Sequence, residues 1–177
     1  MSVFIKNIEI KNNLILAPMA GYGDVAFRAL AKDYGVGLTV TEMISVKGLL
    51  YQGKKTIEML TLAPSETPSC VQLFGSEPEE FFRAIKECSE LDKFDIIDIN
   101  MGCPVPKVTR QGEGSALMKD PIRAGKIVEQ CKKATDRPIT TKFRLGWEQN
   151  TSKEFAHIMQ ESGADMITVH GRTAQQM

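Results

Sequence analysis

The sequence predicts an α/β fold of the (β/α)8 TIM-barrel type, truncated to about six β/α units. Short apolar, β-rich runs alternate with segments whose apolar residues recur at helical spacing, and parallel strands need such crossovers. The turn after the first run reads Ala17-Pro18-Met19-Ala20-Gly21, whereas a nucleotide-binding doubly wound sheet usually carries a G-x-G-x-x-G there. A complete barrel has eight units in about 250 residues. The 177 residues hold six strand-like runs, the sixth without a following helix. Residues 1–177 are therefore expected to form a partial barrel domain with the last two units absent.

Taken in order, Leu14 to Ala17 is the first run. Asp24 can cap a helix running to about Tyr34, ended by Gly35 and Gly37. Leu38 to Ile44 is β-rich and contains Glu42; a long polar loop is expected after it. Cys70 to Phe74 carries Gln72, and Ser76-Glu77-Pro78-Glu79 has a capping-box pattern. The helix that follows places Phe81, Phe82, Ile85 and Cys88 on one face. Phe94 to Asn100 is a buried strand that breaks at Gly102. Asp120-Pro121 starts the next helix, with Ile127, Val128 and Cys131 inward. Pro138 to Leu145 is a strand bearing Lys142 and Arg144. Thr151-Ser152-Lys153-Glu154 caps a helix with Phe155, Ile158 and Met159 inward, stopped by Gly163. Ala164 to Val169 is the last strand, ending at His170-Gly171-Arg172.

Hydrophobic residues make up 42% and charged residues 25% of the chain, ordinary for a globular domain. No apolar run approaches the roughly 20 residues that cross a membrane, and residues 1–11 have no signal-peptide core. Cys70, Cys88, Cys103 and Cys131 are widely spaced with no Cys-x-x-Cys pair. That argues against a zinc site and a disulfide scaffold, and for a reducing cytoplasm. Formal net charge is zero, so RNA contact would need a local basic patch or a further part of the protein.

In a barrel the strand C-termini converge on one mouth. Reading off those ends gives Pro18 and Met19, Glu42, Gln72, Asn100 and Cys103, Lys142 and Arg144, and His170. No carboxylate pair suits glycoside hydrolysis, and nothing has metal-ligand spacing. The set suits a planar, anionic, hydrogen-bonding cofactor such as a flavin. Gln72 could bond the pyrimidine edge of the ring, Lys142 could set charge near its N1 and O2, and His170 could reach ring or tail. A buried ammonium without a partner is costly, which favours a function for Lys142. Gln72 could instead satisfy strand-end backbone, Arg144 could be solvated at the rim, and His170 could be a core histidine. Glu42 reads as structural, an acceptor for neighbouring backbone or a cation. His157 carries no assigned role.

Asn100-Met101-Gly102-Cys103-Pro104 followed by Lys107-Val108-Thr109-Arg110 resembles the signature of the tRNA-dihydrouridine synthases. Ala17-Pro18-Met19-Ala20-Gly21, Val71-Gln72-Leu73-Phe74-Gly75, Lys142-Phe143-Arg144-Leu145-Gly146-Trp147 and Val169-His170-Gly171-Arg172-Thr173 are similar to further segments of that family, in order. The resemblance implies FMN as cofactor, held by Pro18, Met19, Ala20, Gln72, Lys142 and His170, with NADPH as reductant. It implies reduction of uridine in tRNA to 5,6-dihydrouridine, with Cys103 giving a proton to C5. A thiol is a suitable acid, protonated at neutral pH yet able to release its proton. Asn100 would orient base or ring; Arg144 and the Lys107–Arg110 segment would hold substrate RNA. The family's FMN-phosphate loops follow the seventh and eighth strands, and a C-terminal helical domain helps hold tRNA; both are absent here. The partial chain is expected to self-associate through open barrel edges. Alternatives are another flavin barrel acting on a free pyrimidine, or a non-catalytic fragment that binds RNA or a partner.

Overall fold

A computed structural model describes residues 2–176. Six parallel strands lie in sequence order: β3 (Ile15–Leu16), β4 (Leu38–Ser45), β5 (Ser69–Phe74), β6 (Ile96–Met101), β7 (Ile139–Arg144) and β8 (Met166–His170). The order never reverses, so there is no switch point of the doubly wound kind. One small interior cavity touches Ile15, Leu38, Cys70, Asp98, Thr140 and Met166, one residue from each strand. Only a curled sheet brings six strands around one space. The architecture is a barrel carried through six strands, as expected.

Period-two alternation explains the two layers. On β6, Ile97, Ile99 and Met101 face outward into the main core, while Ile96, Asp98 and Asn100 share the concave side. Between the described strands lie α1 (Val25–Asp33), α2 (Val46–Leu50), α3 (Lys54–Glu58), α4 (Pro78–Glu87), α5 (Pro106–Thr109), α6 (Pro121–Ala134) and α7 (Ser152–Glu161). Phe81, Ala84 and Ile85 of α4, Ile127, Val128 and Cys131 of α6, and Phe155 and Met159 of α7 cover the outward strand residues. Phe143 and Phe155 meet edge-on, with ring centroids 4.8 Å apart, a favoured aromatic geometry.

Several local expectations hold. Asp24 accepts from Phe27 N (2.8 Å) at the start of α1, and Asp120 accepts from Arg123 N (3.1 Å) before Pro121 at the start of α6. Gly35 ends α1 at φ +87°, a conformation that suits glycine.

Others need correction. The polar loop after β4 contains α2 and α3, with the Ser45 hydroxyl accepting from Gly48 N (3.2 Å) as a cap. The Ser76–Glu79 capping box does not form. Pro78 is the first helical residue, which makes Glu77 the cap and leaves Ser76 one position too early; its hydroxyl bonds Glu77 instead. Thr151 makes no side-chain cap at α7; Asn150 Oδ1 accepts from Ser152 N (3.1 Å) in its place.

Two further elements were not anticipated. Residues 3–10 form an antiparallel hairpin, β1 (Val3–Ile5) and β2 (Ile8–Ile10), turning at Lys6 with φ +54°. Its Ile5 and Ile10 pack on Leu38, Val40, Cys70 and Ile96, sealing the N-terminal end of the barrel. A buried ion pair, Arg28 with Glu66 (2.7 Å), ties α1 to the loop before β5.

Candidate active site

The C-terminal ends of the strands enclose a cleft of about 360 Å³. Its walls bring together Pro18, Met19, Ala20, Gln72, Asn100, Cys103, Lys142, Arg144 and His170, nine of the eleven residues selected from the sequence. Lys107 and Arg110 stand apart, exposed on α5 after the Cys103 loop. A larger groove of about 580 Å³ lies on the outer surface between Leu50, Ile57 and Cys88. Its polar lining (Gln52, Lys54, Glu58, Glu87, Ser89 and Glu90) belongs to outer helices and their flanking loops, away from the strand ends where α/β-barrel chemistry sits, so the smaller cleft is the candidate site.

Cys103 is held by its backbone. Asn100 Oδ1 accepts from both Gly102 N (3.1 Å) and Cys103 N (3.0 Å). The Cys103 carbonyl accepts from Ser115 N (3.0 Å). Arg144 Nε donates to Gly102 O (2.7 Å) and its Nη1 to Thr173 O (2.9 Å). Gly114, at φ +59°, lies so close that a Cβ there would fall 2.7 Å from Cys103 O. The thiol itself takes part in none of these bonds. Arg144 thus acts as a brace between the β6 and β8 loops, a role distinct from the substrate contact expected of it.

Beneath the loop is a polar layer. Asn100 Nδ2 donates to Gln72 Oε1 (2.8 Å), Gln72 Nε2 donates to Asp98 Oδ2 (2.7 Å), and Thr140 Oγ1 donates to Asp98 Oδ1 (2.5 Å). Gln72 is 0% exposed; it lines the cleft, and each end of its amide makes one hydrogen bond within the protein. Asp98 and Thr140 were not selected from the sequence. Asp98 shares the inward parity of Asn100, and that alternation was the signal available. Glu42 is the backbone acceptor expected of it, bonding Gly21 N in the first loop.

The cleft is electropositive. Burial lowers the Lys142 pKa, opposed by the nearby Asp98 carboxylate. Burial raises the Asp98 pKa, opposed by its bonds to Gln72 and Thr140 and by Lys142. Burial also lowers the His170 pKa, assisted by Arg144, Lys142 and Arg172. His170 Nδ1 is buried and has no hydrogen-bond partner among the described residues. The thiols of Cys70 and Cys131 are fully buried and pushed up in pKa, which leaves them inert.

The family model described as "Dihydrouridine synthase (Dus)" matches residues 15–177. The chain belongs to the dihydrouridine synthase family. Proteins named "Probable tRNA-dihydrouridine synthase" are similar to it. That of Rickettsia bellii (strain RML369-C) is 42% identical over 172 residues, covering 96% of this chain and 52% of its own length. That of Helicobacter pylori (strain J99 / ATCC 700824) is 40% identical over 169 residues, 94% of this chain and 52% of its own. That of Treponema pallidum (strain Nichols) is 35% identical over 181 residues, 98% of this chain and 53% of its own. The chain spans about half the length of the curated relatives it matches. The dihydrouridine synthase match begins at the first residue of β3, so the β1–β2 hairpin lies before it.

Proposed function

We propose that this chain is the catalytic part of a tRNA-dihydrouridine synthase, which reduces uridine in tRNA to 5,6-dihydrouridine with FMN and NADPH. The observation that carries this is a half-buried thiol whose backbone is pinned over an electropositive cleft. The relatives' names support tRNA over a free pyrimidine as substrate.

The donor set fits a flavin. Pro18, Met19 and Ala20 offer an apolar wall, Lys142 a cation for an anionic ring edge, and the unpartnered His170 Nδ1 a polar contact. FMN, when bound, supplies a hydride for C6 of the uracil. Cys103 gives its proton to C5, and the thiolate left behind is reprotonated from water. Arg144 keeps the Gly102–Cys103 peptide in place while this happens. The exposed cations Lys107 and Arg110 meet the RNA backbone outside the cleft. The target base is extruded to reach the thiol, at low cost in an unpaired loop. The relatives are about twice as long as this chain, and the added length is the proposed source of the closing barrel units and of a helical tRNA-holding domain. The four free cysteines are compatible with a cytoplasmic setting, and no helix among the described residues is long and apolar enough to cross a membrane.

FMN fluorescence titrated with the polypeptide extended to the relatives' length should quench on binding, and an unmodified tRNA transcript given to it with NADPH should gain two hydrogens at uridine, whereas the 177-residue chain should bind FMN more weakly. Lys142→Met should weaken FMN binding by about tenfold, the loss of one charge-assisted contact. No quenching and no dihydrouridine would overturn the reading.

The sheet edges bear on self-association. β3 and β8 each pair on one side only, and Ile15 and Val169 on them are 39% and 43% exposed. Unpaired edges template pairing with another chain. The isolated 177-residue chain should therefore form dimers or larger species, read as a mass that rises with concentration in light scattering. A monomer at every concentration would count against it.

A further inference from the structure

We infer that Asp98 is a positioning residue that fixes the Cys103 peptide through a one-way chain of side-chain amides, a reading that rests on Cys103 being the proton donor.

The chain runs from strand to loop. Asp98 Oδ2 accepts from Gln72 Nε2, Gln72 Oε1 accepts from Asn100 Nδ2, and Asn100 Oδ1 accepts from Gly102 N and Cys103 N. An amide side chain has a donor end and an acceptor end and can face either way. An ionised carboxylate can only accept. Asp98 therefore obliges Gln72 to turn its NH2 inward, which leaves the Gln72 oxygen for Asn100. Asn100 must then turn its own NH2 toward Gln72, which leaves its oxygen for the two loop amides. Reversing any link would set the Asn100 NH2 against two backbone N–H groups, donor against donor.

The surroundings enforce this direction. Gln72 is fully buried and Asp98 nearly so, so water does not substitute for a missing partner. Burial raises the Asp98 pKa, and the bonds from Gln72 and from Thr140 Oγ1 (2.5 Å to the other carboxylate oxygen), with Lys142 nearby, oppose that rise; both bonds use the carboxylate as an acceptor. The register pairs Gln72 with Asp98 across β5 and β6, and Asp98 with Thr140 across β6 and β7. The residue that orients the catalytic loop thus sits two positions before Asn100 and touches no loop atom in this network.

The test is amide hydrogen exchange by NMR on the 177-residue chain, without flavin or RNA. In Asp98→Leu, and separately in Gln72→Leu, exchange at Gly102 and Cys103 should quicken by about tenfold, the loss of one ordinary hydrogen bond. Exchange at Ile97 and Val128, held by sheet and helix bonds, should stay unchanged. Asp98→Asn should restore protection, because its carbonyl can still accept from Gln72 while its NH2 turns to the Thr140 hydroxyl. Equal acceleration at all four amides, no acceleration at Gly102 and Cys103, loss of protection in Asp98→Asn, or failure of both leucine variants to fold would overturn the proposal. The proton-donor reading fails on a different measurement, dihydrouridine formation by a Cys103 variant, so the two failures are distinguishable.

Discussion

Cys103→Ala is expected to lower uridine reduction by about a hundred- to ten-thousand-fold, the usual cost of removing a general acid. Flavin binding and NADPH oxidation should persist in the polypeptide that carries the activity. The substitution removes Sγ alone. The bonds that shape the loop run through Cys103 N and O, Gly102 N and O, Asn100 and Arg144, and alanine keeps all of them. No other thiol can take over. Cys70 and Cys131 are buried and inert, and Cys88 lies by the outer groove. The two rates should be measured side by side: dihydrouridine in tRNA and NADPH consumed. Near-normal dihydrouridine formation would remove Cys103 from the mechanism.

Arg28→Ala is expected to destabilise the fold by about 3–5 kcal/mol, the range for stranding one member of a buried ion pair. The Arg28 and Glu66 side chains are 2% and 1% exposed. Arg28 also donates to Gly23 O and Thr61 O, both at 2.7 Å, and Glu66 accepts from Thr39 Oγ1 (2.8 Å) and Ala63 N (3.0 Å). Removing the guanidinium leaves a carboxylate buried with too few donors. Urea unfolding reads the loss directly. The double change Arg28→Met with Glu66→Leu should cost less than the two single changes summed, because the stranded charge is gone. A loss below about 1 kcal/mol for Arg28→Ala would mean that water reaches the pair. Gly23 closes the loop that starts at Pro18, so the same variant should also loosen the cleft wall.

The parts of the fold set by local pattern were readable. Apolar runs and helical spacing located every strand of the main sheet, and Asp24 and Asp120 marked true helix starts. The cleft was readable because strand ends must converge once the fold class is known. What escaped depended on pairing across distance. The bond from Gln72 to Asp98 appears only once register sets them side by side, 26 residues apart in sequence. Arg28 and Glu66 lie 38 residues apart and look like ordinary surface charges in the sequence. Lys107 and Arg110 follow Cys103 closely in sequence, but only the structure shows that they stand in solvent outside the cleft rather than on its wall. The hairpin at residues 3–10 escaped for another reason. Its strands are three residues each, too short for a periodic signal, although Ile8 and Ile10 alternate with Glu9.

That hairpin has a consequence for the order of assembly during synthesis. Ile5 and Ile10 rest on Ile96, and Lys6 Nζ donates to Asp136 O (2.6 Å), 130 residues along the chain. Once made, this hairpin therefore cannot complete its contacts until residues near the start of β7 have followed it from the ribosome. Isolated two-stranded hairpins are at best marginal in water, and closing so long a loop costs entropy before any contact offsets it. The barrel floor is thus among the last surfaces to settle, and Ile5 and Ile10 must wait in the open while the strands they will cover are still being translated.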